Sequence, residues 1–133
     1  MTDDGGPAFD LRFEDRDAYL YAFVSGPRDA AEVTLGYWQE IVAECGRRNA
    51  DKILVEEDFP NQLSATEIYT VMRSVAAVLP VGLQVAVVDR WAEHDDLNMF
   101  AETVAVNRGV HGRVFSTVDA ASMWLTRAQS QGS

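Results

Sequence analysis

Three apolar runs, Lys52–Asp58, Leu83–Arg90 and Gly112–Ser116, have the length and branched composition of buried strands, and each is followed by a segment with helical periodicity. Strands that alternate with helices in this way pair in parallel, because a parallel neighbour is reached only by a crossover long enough to hold a helix. Leu83–Val88 is apolar without alternation, as expected for a strand covered on both faces. The central part of the chain is therefore α/β.

The N-terminal part reads differently. Phe9–Phe13 and Tyr19–Val24 flank the charged turn Glu14-Asp15-Arg16-Asp17, which predicts an antiparallel hairpin leading into the sheet. A helix follows from Asp29 to Arg48, with Trp38, Ile41, Val42 and Cys45 on one face. The next helix opens on Ser64-x-x-Glu67, a capping-box pattern, and carries the stripe Ile68, Val71, Met72, Val75, Leu79 up to Pro80. A third begins at Asp95 and Asp96 with Leu97, Phe100, Ala101 and Val104 facing inward and Gly109 as its C-terminal cap. Ala121, Trp124 and Leu125 form the apolar face of a last helix. The predicted fold is one small α/β domain over residues 9–126: a mixed sheet in which the hairpin precedes parallel strands with helical crossovers. Residues 1–8 and 127–133 read as tails, rich in Gly, Pro, Ser, Gln and Asp.

Composition narrows the function. With 133 residues, 47% of them hydrophobic, the chain builds one core without needing disulfides or a structural metal. Its 11 basic and 21 acidic side chains give a net charge of −10, which repels phosphate backbones and anionic membranes. Neither nucleic acid nor membrane is an expected partner. Cys45 is the only cysteine and falls on an apolar helix face, where it reads as an inert core thiol. No basic leader or long apolar run is present, so the expectation is a cytoplasmic protein.

Ligands of parallel sheets sit beyond the carboxyl ends of the strands. The residues there are Glu57, Asp58 and Phe59, then Asp89, Arg90 and Trp91, then His94. Asp58, Asp89 and His94 together have the chemistry for acid–base catalysis. Phe59 and Trp91 could wall an apolar pocket with Arg90 fixing a polar head, while Trp91 also suits a protein contact. Strand ends of acidic proteins routinely carry solvated carboxylates, and His94 and His111 fall in connections where a polar residue faces solvent. No GxGxxG, P-loop, GxSxG or HExxH occurs, so no metal or other cofactor is expected.

The order of these elements, with a final strand and a short helix carrying Met123-Trp124-Leu125, resembles the STAS or SpoIIAA-like domains across residues 9–126. That family comprises small modules of sulfate transporters and anti-sigma-factor antagonists. In the antagonists a phosphorylatable Ser or Thr opens the helix after the central strand, within an Asp-x-Ser-Gly type sequence. Here the stretch runs Glu56-Glu57-Asp58-Phe59-Pro60-Asn61-Gln62-Leu63-Ser64-Ala65-Thr66 and contains no Ser-Gly pair. The resemblance implies Asp58 as the loose match to the aspartate and Ser64 or Thr66 as the phosphorylation candidate. It further implies a non-enzymatic regulatory module that binds a protein partner. A second copy is a candidate for that partner, since exposed Trp91 or Tyr37 would support a homodimer. A pocket for a small apolar or amphipathic molecule is the alternative reading, and a small acid–base enzyme using Asp58, Asp89 and His94 is the third.

Overall fold

The structure is a computed structural model that describes residues 8–131. Five strands, β1 (Asp10–Asp15), β2 (Leu20–Ser25), β3 (Lys52–Asp58), β4 (Gln84–Asp89) and β5 (His111–Phe115), form one sheet in sequence order. β1 and β2 are antiparallel, and every later pair is parallel. The helices are α1 (Ala31–Arg48), α2 (Ala65–Val78), α3 (Asp95–Asn107) and α4 (Val118–Gln131), with a single 3-10 turn at Ala92–His94 before α3. The predicted α/β fold, a hairpin followed by parallel strands with helical crossovers, is the observed one.

Alternation along each strand divides the core in two. Ile53 and Val55 of β3 and Val85 of β4 point to the face covered by α1, α2 and α3, where they meet Tyr37, Ile41, Val71 and Val75. Leu54, Ala86 and Val88 point to the other face and pack on Ala121 and Leu125 of α4. Cys45 is buried in the larger cluster, as its helical position predicts.

Local chemistry sets the boundaries. Ser64 Oγ accepts the Glu67 N–H at 3.2 Å while Glu67 Oε1 accepts the Ser64 N–H at 2.9 Å, the reciprocal capping box predicted for α2. Gly26 ends β2 where a Cβ would lie 2.9 Å from both the Ala8 carbonyl and the Phe59 ring, so only glycine lets the chain pass.

Three expectations are corrected. The hairpin turn lies at Arg16–Ala18, two residues later than predicted: Glu14 and Asp15 remain paired in β1, and Asp17 takes the left-handed conformation with φ 62°. Phe100 is 38% exposed, because the inward arc of α3 is the narrower stripe Leu97, Ala101, Val104. α4 continues to Gln131, through residues that composition marked as a tail. Of the predicted N-terminal tail, residues 1–7 lie outside the described residues.

Candidate functional site

Parallel pairing places Glu57 of β3 directly beside Asp89 of β4, and alternation turns both side chains toward the α1–α3 face. Glu56 and Asp58 therefore face the opposite side. Two polar constellations result, one on each side of the strand ends.

On the α1–α3 side, Tyr37 donates its hydroxyl to Glu57 Oε2 at 2.9 Å, and Phe59 stacks on the Tyr37 ring with centroids 5.8 Å apart. Burial pushes the Glu57 carboxyl up to about 8, and the neighbouring Asp29 and Asp89 charges push the same way; only the Tyr37 hydrogen bond opposes them. The same burial, reinforced by Glu57 and Asp29, holds the Tyr37 phenol well above its ordinary value. Asp29 precedes α1. Its Oδ1 accepts the Ala30 N–H and the Thr34 hydroxyl, and its backbone exchanges two hydrogen bonds with the Asn61 side chain. Desolvation raises its carboxyl despite these donors.

Asp89 organises the other half of this cluster. Oδ1 accepts the Trp91 N–H, while Oδ2 lies 2.8 Å from His94 Nδ1 and accepts Asn98 Nδ2 at 3.1 Å. His94 is thus not solvent-facing as predicted but only 4% exposed, because the 3-10 turn folds the imidazole back onto Asp89 and Trp91 stacks over it. His111, by contrast, is exposed on β5 and meets the Trp124 ring edge-on.

On the α4 side, Glu56 is buried and paired. Tyr21 donates to Oε1 at 2.5 Å and Arg90 binds Oε2. Desolvation and the Glu56 contact push the Tyr21 phenol up to about 12. Asp58 accepts the Trp91 indole N–H at 3.1 Å, and Trp91 is 36% exposed at the rim. Asp58 and Arg90 thus lie on the face opposite Glu57 and Asp89, joined to Asp89 and His94 only through Trp91, and the predicted grouping of Asp58 with Asp89 and His94 is only half assembled.

Glu57, Asp89 and His94 close one end of a cavity of about 130 Å³ between the sheet and α2 and α3. The other walls are largely apolar, including Ile68, Met72, Val75, Val87 and Ala101, with Glu102 and Arg113 among the polar exceptions. Phe59 lines it as the pocket reading expects, whereas Arg90 and Trp91 do not. Asp29, Tyr37 and Asn98 also line it, and pattern alone did not single them out. Asp29 could have been found as an Asx residue just before a helix with Thr five positions on. Ser64 and Thr66 sit at the exposed start of α2, with the Ser64 hydroxyl engaged in its cap. Among the described residues no three His, Cys, Asp or Glu side chains converge as metal ligands, and no helix is long and apolar enough to cross a membrane.

No protein-family model matches the chain, and no curated protein matches it either. One solved structure similar to it is the NMR structure of the protein TM1081, at 14% sequence identity and a TM-score of 0.49, covering 86% of this chain and 87% of that one.

Proposed function

We propose that this chain is a non-enzymatic STAS-like module, SpoIIAA-like in fold, that holds a small amphipathic molecule in the cavity between its sheet and helices α2 and α3. The cavity is the observation that carries this reading. Protein cores pack to a density that leaves few voids larger than a water molecule, yet here a space of about 130 Å³ opens between the sheet and its helices. An apolar cavity of similar volume is enough to bind benzene. Apolar walls with a few hydrogen-bonding groups at one end are the usual make-up of a ligand site.

Binding fits the polar end better than turnover does. The His94 ring makes its one side-chain hydrogen bond to Asp89, and among the described residues no hydroxyl or thiol is hydrogen-bonded to it as a nucleophile would be. Cyclohexanol is a suitable neutral probe. It is expected to bind saturably, and Ala101→Leu, which fills the space from α3, is expected to abolish binding while raising the melting temperature. Undiminished binding to Ala101→Leu, or none to the parent chain, would sink the proposal.

A protein partner is a second reading, supported by the outer face of α3. Met99 is 63% exposed and Val106 49%, with Phe100 beside them and Tyr69 on the adjoining α2. A second copy of the chain is the simplest occupant of such a face. Light scattering is expected to return the mass of a dimer, and Met99→Lys the mass of a monomer. A monomeric parent chain across a wide concentration range would remove this reading.

A further inference from the structure

Resting on the cavity reading above, we propose that the ligand is a small organic cation, with its apolar body under α2 and α3 and a protonated amine against Glu57, Asp89 and Asp29. Three observations select this class. The first is the balance of donors and acceptors. Tyr37 reaches only Oε2 of Glu57, and the donors to Asp29 reach only Oδ1, so Glu57 Oε1 and Asp29 Oδ2 accept no hydrogen bond among the described residues. Nor is a hydrogen bond made by His94 Nε2. Once Glu57 is ionised, a head group that donates completes this end, and an ammonium offers three donors and no acceptor.

The second observation is charge. Arg113 is the only Arg or Lys among the residues lining the cavity, and its guanidinium stands over the Phe115 ring on the α4 face. Arg90 is likewise committed to Glu56 on that side. Above about pH 8, where Glu57 is ionised, a carboxylate or phosphate head would therefore meet carboxylates with no Lys or Arg beside them, at a cost of several kcal/mol. A cation meets them with favourable sign.

The third observation separates an organic cation from a metal ion. The carboxyl groups and His94 do not converge closely enough for metal coordination, and most of the remaining wall is hydrocarbon, which a hydrated ion would avoid. A larger head carrying an apolar body satisfies both halves of the site.

Proton release should accompany binding. Glu57 faces Tyr37 from α1, Asp29 ahead of that helix, Asp89 from β4 and His94 from the turn; Glu102 of α3 also lines the cavity, with Oε1 accepting the Val114 N–H, and α2 brings no titratable group to it. Burial among these groups keeps Glu57 protonated below about pH 8. An ammonium placed beside it favours the ionised form, so affinity for an amine rises about tenfold per pH unit below that value.

The test compares three cyclohexyl probes on the intact chain by NMR titration: cyclohexylamine, cyclohexanol and cyclohexanecarboxylate. Expected are binding of the amine at least tenfold tighter than that of the alcohol at about pH 8, no binding of the carboxylate, and amine affinity that climbs from about pH 6.5 to pH 8. Glu57→Gln, of nearly the same shape, should remove the pH dependence and most of the preference for amine over alcohol; Asp89→Asn provides an independent loss of preference. Equal affinity for amine and alcohol, with Glu57→Gln indifferent, would overturn the cation proposal and leave the cavity reading standing. Failure of all three probes to bind would overturn both.

Discussion

Replacing Val71 with aspartate is expected to lower the stability of the fold by about 4 kcal/mol, near the upper end for a single substitution. Val71 is 1% exposed and sits in the larger cluster between α2 and the sheet. Two losses combine there: the packing of a branched side chain and the desolvation of a carboxylate. The cluster around it is hydrophobic, so the new charge would lose its hydration and relieve the cost chiefly by taking up a proton. Urea unfolding should show the midpoint falling with little change in slope, and the deficit should shrink below about pH 4, where aspartate is neutral. An unmoved midpoint would mean that the inward face of α2 had been assigned wrongly.

Stability should also fall as pH rises through the neutral range, with Glu57 as the main cause. Its carboxyl titrates near 4.5 in an unfolded chain and near about 8 in the fold. Between these values the unfolded state has released a proton that the native state retains, so the native state binds more protons and loses stability with each rise in pH. The contribution is fully present below about 4.5 and gone above about 8. At 1.36 kcal/mol per unit, the ceiling is about 5 kcal/mol; the carboxyl is half-buried against the cavity, which brings the expected loss to about 2–3 kcal/mol. Asp29, also raised by burial, adds to the same slope. Glu57→Gln should flatten most of it and leave the variant more stable than the parent at pH 8.5. Parallel stability–pH curves for parent and variant would show that Glu57 ionises as freely in the fold as in water.

The sheet was legible because its signals are local. Ile53–Val55 and Val85–Val88 are apolar on both faces, Ser64 and Glu67 write a cap into α2, and the crossovers leave parallel pairing as the only economical connection. Phe100 misled because α3 lies at the β5 end of the sheet, where a helix buries a narrower arc than periodicity assumes. The candidate site was legible in its members but not in its grouping. Strand alternation separates Glu57 from Asp58, and pairing register brings Glu57 beside Asp89; the first follows from sequence, the second only from the sheet. His94 was misplaced for a related reason. Nothing in a run of polar residues announces that a single 3-10 turn will fold an imidazole back against a carboxylate five residues earlier.

On β5, the Glu102 side chain accepts the Val114 N–H at 2.8 Å, occupying a donor on the strand's open side. At the opposite edge, β1 carries Asp10, Glu14 and Asp15 with Arg12 as its one cation, a net negative border that a second copy would have to meet with its own. Strand exchange, fibril growth and lengthening of the sheet through a neighbour are thus discouraged at both borders, so the chain can stay dispersed at high concentration and any assembly it enters must be built through its helices.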